Sequence, residues 1–95
     1  MGRPARKGRV ASLHGESYAA FVRLLVERRK VSGLSQQDVA DALRWPQSFI
    51  AKIEKQQRRI DAVELIRLAA AVGFDPSKIV RDLQKLMIEL GEIDK

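Results

Sequence analysis

The polar residues with the most chemistry to offer crowd into twenty positions, Gln36 to Lys55, reading QQDVADALRWPQSFIAKIEK. Gln36, Gln47 and Ser48 can donate and accept hydrogen bonds, while Arg44, Lys52 and Lys55 donate with positive charge. A glutamine amide can meet adenine N6 and N7 in two bonds, and a lysine one turn further on can reach guanine acceptors or a phosphate. The loop that follows, QQRRI (Gln56–Ile60), adds Arg58 and Arg59, which suit phosphate neutralisation or a plain solvated loop. Catalysis has no comparable set of residues. There is no cysteine, His14 is the one histidine, and no paired carboxylates stand out, so no enzyme, metal site or cofactor is expected.

Two short helical patterns must hold these groups. In the first, Val39, Ala40 and Leu43 share a face, with Ser35 as N-cap and Asp38 in the first turn. In the second, Phe49, Ile50 and Ile53 form the apolar stripe, and Pro46 suits its start because the missing N–H would be unpaired there anyway. Arg44 and Trp45, with Pro46, leave so short a bend that the helices must cross steeply, and small Ala40 lets them approach. Opposite Ile50 and Ile53 lie Gln47, Ser48, Ala51, Lys52 and Lys55. That face is free to enter a groove.

The stretch resembles the helix-turn-helix of the lambda-repressor/Cro-like, or XRE-type, family. The matching positions are GLSQQDVA (Gly33 to Ala40), Gln47 and Ser48, and the I-x-K-I-E ending from Ile50 to Glu54. With flanking helices the match runs from about Glu16 to Val80. The resemblance implies that Gln47, Ser48 and Lys52 read bases in the major groove of double-stranded DNA. It implies phosphate contacts from Gln36, with Arg44, Lys55, Arg58 and Arg59 flanking the groove. It also implies a structural pair between Arg29 and Glu54, the alternative for Arg29 being a direct DNA contact. Three positions depart from the family pattern: Arg44 and Gln56 stand where glycines are usual, and Pro46 replaces a Ser or Thr cap. A left-handed non-glycine residue costs roughly 1 kcal/mol, which leaves the shape of both turns open. Trp45 is expected to staple the second helix against Ile50, or else to stand exposed as a contact.

Ninety-five residues allow one small domain with a tail. The net charge of +6 is uneven: eight basic and two acidic residues up to Lys30, three basic and four acidic from Arg81 onward. A basic front suits a polyanion on one face. Residues 1–15 carry three glycines, a proline and Arg3, Arg6, Lys7 and Arg9, and read as a flexible basic arm. Its GRP resembles the core of an AT-hook, which would lay Arg3 in a minor groove; a loose tail on phosphates is the alternative. No apolar run reaches the length of a membrane span, so no membrane partner is expected, and the absence of cysteine fits a reducing cytoplasm.

The remaining pattern predicts a first helix over Ser17–Lys30 on Tyr18, Phe21, Val22 and Leu25. A fourth opens at Asp61 with Glu64 as its capping-box partner, buries Leu65, Ile66, Leu68, Ala69 and Val72, and stops at Gly73. A fifth follows Asp75-Pro76 to about Leu90. The expected fold is all-α, a five-helix lambda-repressor-like DNA-binding domain over residues 16–80, with a C-terminal helix in 76–95. There Ile79, Leu83, Leu86, Leu90 and Ile93 repeat at seam spacing, and beyond Leu83 little of the monomer is expected to remain to be covered. Leu83, Leu86, Leu90 and Ile93 are therefore read as a homodimer seam, matched to a palindromic operator. The function expected is a bacterial transcriptional repressor, cytoplasmic and on the nucleoid when bound. The alternatives are an antitoxin with a toxin protein as partner, which co-purification would reveal, and an adaptor that has lost DNA binding.

Overall fold

The computed structural model describes residues 10–94, with side chains from residue 15 onward; the roles expected of Arg3, Arg6, Lys7 and Arg9 lie outside the described residues. Among the described residues five helices follow in order: α1 Val10–Val31, α2 Gln36–Leu43, α3 Gln47–Glu54, α4 Ala62–Val72 and α5 Pro76–Glu89. Among the described residues there is no strand, and the fold is all-α with a helix-turn-helix at α2–α3.

Local chemistry sets most boundaries. Ser35 accepts the Asp38 N–H while the Asp38 carboxylate accepts the Ser35 N–H, and Asp61 and Glu64 repeat this box at α4. Asp75 caps α5, with Pro76 in the first turn. Gly73 ends α4 at φ 98°, donating to Ala69. At α3 the cap is Pro46, extended at φ −62° and ψ 144°, with no side-chain acceptor for the first N–H groups.

The two turns that lack glycine keep the left-handed form. Arg44 stands at φ 61° and Gln56 at φ 62°. After Arg44 the Trp45 N–H returns to the Ala40 carbonyl, and after Gln56 the Gln57 N–H returns to Lys52. The backbone hydrogen bonds and packing of the turns override the local cost. Arg44→Gly and Gln56→Gly should therefore each stabilise the chain by about 0.5–1 kcal/mol, since the strain removed exceeds the extra freedom of an unfolded glycine. Thermal melts would show a rise of a few degrees per change, and a fall in both would mean the turns carry no strain.

The core joins all five helices. Phe21 and Leu25 of α1, Val39 and Ala40 of α2, Ile50 of α3, Leu65, Leu68 and Val72 of α4 and Ile79 of α5 form one buried cluster. Ala40 has no exposed surface, which is how α2 and α3 come close enough to pack. Two readings of the sequence change here, for Ile66 and Phe49, and that for Trp45 is narrowed. Ile66, placed in the buried stripe of α4, is 58% exposed. Trp45 meets Phe49 edge to face at 4.8 Å and packs on the core cluster that contains Ile50, so it is half-buried at the entry to α3 rather than standing exposed. Phe49 itself is only half-buried.

The largest difference lies at the two ends. α1 begins at Val10, not Ser17, so residues 10–15 and His14 fall within a helix rather than in an arm or linker. α1 and α5 pack together, and the Ser17 hydroxyl donates to the Glu92 carboxylate. That partnership changes the proposed seam. Leu83 packs on the core of its own chain, and Leu86, Leu90 and Ile93 are half-buried where a lone chain was expected to expose them.

Candidate nucleic-acid interface

α3 presents two unlike faces. Ile50 and Ile53 are 2% exposed and anchor it, while Gln47, Ser48 and Lys52 are exposed on the other side, with Ala51 between them half-buried. The eight-residue helix has a 3.6-residue period, so residues 47, 48, 51, 52 and 55 project away from the core together. Lys55 caps the helix and is exposed, as is Arg44 in the turn before it. The outer face is thus amide and hydroxyl at its start and cationic at both flanks.

A hydrogen-bonded chain runs behind this face. Arg29 donates from Nε to Glu54 Oε2 at 2.6 Å and from Nη2 to Glu54 Oε1 at 2.8 Å, with Nη1 on the Leu34 carbonyl at 2.9 Å. Glu54 Oε1 also accepts from Gln36 Nε2 at 2.8 Å, and Gln36 Oε1 accepts from Gln47 Nε2 at 2.6 Å. Three helices are tied by four side chains. Arg29 and Glu54 keep only 13% and 14% of their side-chain surface exposed. Burial pushes the Glu54 carboxyl up, but hydrogen bonds from Arg29 and Gln36, with the charges of Arg29 and Lys30, outweigh it and hold the group below its ordinary value. The hydrogen bond to Glu54 likewise raises Arg29, against the effect of its burial. Both members stay charged at neutral pH.

The loop after α3 is held differently from the sequence expectation. Arg58, expected at a phosphate, lies over the Phe49 ring at 4.0 Å and grips Glu64 with two bonds of 3.1 and 3.0 Å. Its Nη1 also donates to the Arg59 carbonyl at 2.6 Å. Such a stacked, bidentate arginine contributes through geometry as well as charge. The Arg58 bond and the Asp61 N–H hold the Glu64 carboxyl below its ordinary value. Arg59 lies over Tyr18 at 4.3 Å, and the Tyr18 hydroxyl accepts the Ile60 N–H at 3.2 Å. The loop is therefore strapped to α3 and α1 by two aromatic–arginine stacks and to α4 by the Arg58–Glu64 pair. Glu64 was legible as a cap, but nothing in linear spacing marked it, or Phe49, as partners of Arg58.

The described residues hold no cluster of His, Cys, Asp and Glu suited to a metal, and no helix is long and apolar enough to cross a membrane. No curated protein was found to match the sequence. Residues 17–81 match the family model of the helix-turn-helix domain. The structure resembles that of an XRE-family like protein from Pseudomonas syringae pv. tomato str. DC3000, with a TM-score of 0.80 and 31% identity over 84% of this chain and 98% of that one. Motif, buried anchors and both likenesses lead to the same place: the chain belongs to the XRE-type helix-turn-helix family of DNA-binding domains.

Proposed function

We propose that this chain is a sequence-specific transcriptional regulator, acting as a repressor on operator DNA with α3 in the major groove. One observation carries this reading: Gln47, Ser48 and Lys52 stand exposed on one face of α3 while Ile50 and Ile53 anchor the opposite face. A helix so placed offers base-reading groups at its start, as a recognition helix requires. Gln36, in the first turn of α2, lies where helix N–H groups point outward and favour an anion. Arg44 in the turn, Lys55 at the end of α3, and Arg58 and Arg59 in the loop after it flank the groove as phosphate contacts, and Arg58 also braces that loop through Phe49 and Glu64. Arg29 and Glu54 serve as the structural pair.

If Gln47 makes two bonds to a base, Gln47→Ala should cost about 1–3 kcal/mol of binding and relax preference at one position. Selection of sites from random DNA checks this. An unchanged motif would remove Gln47 from the reading set.

The functional unit in this proposal is a homodimer on a palindromic operator in the cytoplasm. Its support is the half-buried apolar row Leu86, Leu90 and Ile93, whose remaining surface a second copy would cover. Light scattering at tens of micromolar should give twice the 10.7 kDa chain mass. A single-chain mass at that concentration would end the dimer.

A further inference from the structure

We infer that Glu64 is a positioning residue for DNA binding: together with Phe49 it fixes the Arg58 guanidinium so that one whole edge, Nε–H and Nη2–H, is a preset fork for a single backbone phosphate. This rests on Arg58 meeting a phosphate.

The argument begins with the donors. A guanidinium has five N–H groups and no acceptor. Arg58 gives two from Nη1, to the Arg59 carbonyl at 2.6 Å and to Glu64 Oε1 at 3.1 Å, and one from Nη2, to Glu64 Oε2 at 3.0 Å. What remains is the Nε–H and the second Nη2 hydrogen, which stand side by side on one edge of the group. The same molecule shows what such an edge takes. Arg29 uses these two nitrogens on the two oxygens of Glu54, at 2.6 and 2.8 Å. A phosphate presents a similar pair of oxygens.

The fork is held before any DNA arrives. The Phe49 ring lies under the guanidinium, 4.0 Å from centroid to Cζ, and Trp45 meets that ring edge to face at 4.8 Å. Glu64 grips the far end of the group and is itself fixed by the Asp61 N–H at 3.0 Å, in the capping box of α4. Phe49 adjoins Ser48 and Lys52 on α3, both exposed. Arg58, with 37% of its side chain exposed, therefore stands at the flank of the outer face. A phosphate seated there fixes where along the duplex α3 enters.

Glu64 also takes something away. Seen from a distance its charge offsets that of Arg58, so the pair adds little to the loose attraction for any DNA. At contact the fork still makes two directed bonds. Arg58 thus counts chiefly where the docked register brings a phosphate to its free edge, and Glu64 widens the gap between selected and unrelated sites.

Glu64→Gln tests this, because glutamine keeps the capping-box role but offers one acceptor oxygen in place of two. The full-length chain, Glu64→Gln and Arg58→Lys, checked for folding by circular dichroism, are titrated against the duplex obtained by selection from random DNA and against an unrelated duplex. Glu64→Gln should weaken the selected duplex on the order of tenfold, although it removes a negative charge, and should tighten the unrelated one. Arg58→Lys keeps the charge without the fork, and should weaken the selected duplex as much while leaving the unrelated one nearly unchanged. Replacing phosphates singly by uncharged methylphosphonate should reveal a position where the wild type loses on the order of tenfold and both variants lose little. Should Glu64→Gln lose its helical signal, this scan with Arg58→Lys decides alone. Tightening of both duplexes by Glu64→Gln would show that Glu64 merely repels DNA, and equal weakening of both that it merely supports the fold; either overturns the inference. If Arg58→Ala leaves affinity for the selected duplex unchanged, the phosphate contact of Arg58 itself fails, and this assignment with it.

Discussion

Ile53→Ala should destabilise the protein by about 2–5 kcal/mol, enough to lower the melting temperature on the order of 15 °C in a domain of this size. Ile53 is 2% exposed and faces the same internal space as Val22 of α1, Val39 of α2 and Leu68 of α4. Those neighbours belong to three other helices, so the space left by three carbons has no single element that can move in to fill it. The cost is then lost burial plus a cavity. DNA binding should fall as well, because Ile53 and Ile50 are the anchors that keep the outer face of α3 presented. Denaturant titration followed by circular dichroism gives the stability directly. A loss below 1 kcal/mol would mean that the helix re-seats itself and that its placement is loosely specified.

Arg29→Met should cost about 2–3 kcal/mol, for a different reason. It leaves Glu54 with little solvent and with Gln36 as its remaining donor from the present network, so an ionised group stays behind almost without countercharge. Partial exposure of the pair keeps the figure below that of a fully buried one. The double change Arg29→Met with Glu54→Leu should be more stable than the single one, since apolar replacements remove the stranded charge. Acidity provides a second measurement. Glu54 is held below its ordinary value of 4.5 in the folded chain, so its contribution is fully present above that pH and is lost as pH falls through the depressed value. Melts between pH 3 and pH 8 should be flat at neutral pH and drop steeply below about 4.5. Arg29→Met should drop less steeply, retaining the part that Glu64 contributes through Arg58. An identical acid slope in both proteins would show that Arg29 does not depress Glu54.

The readings that hold from sequence to structure are those in which partners lie within one or two turns. Ser35 with Asp38 and Asp61 with Glu64 are three residues apart, a distance at which the helix itself brings cap and carboxylate together. Val39 and Ala40, like Ile50 and Ile53, fall on one face whatever that face meets, so the helix-turn-helix and the outward side of α3 were visible in the spacing. Periodicity says which residues share a face and not what covers it. Ile66 fits the apolar stripe of α4 yet is 58% exposed, at the rim of a groove it shares with Pro76 and Val80 of α5. Phe49 fits the stripe of α3 yet half-emerges to stack with Trp45 and Arg58.

The start of α1 follows the same rule in reverse. Gly15 and the basic residues before it argue against a helix, but α5 lies along α1, and Ser17 reaches Glu92 across 75 residues. That contact falls at Ser17, while Gly15 before it is exposed, so the helix runs on past its packed part. The neighbour, α5, was written at the opposite end of the chain. The seam residues Leu86 and Leu90 are half-buried in the single chain rather than exposed, which their spacing alone did not show. The chain from Arg29 through Glu54 and Gln36 to Gln47 spans α1, α2 and α3 in an order unrelated to their order in sequence. Its residue types were all on the page as letters. Their contact required α2 and α3 to cross where Ala40 lets them, which brings Gln36 and Glu54, 18 positions apart, within one hydrogen bond.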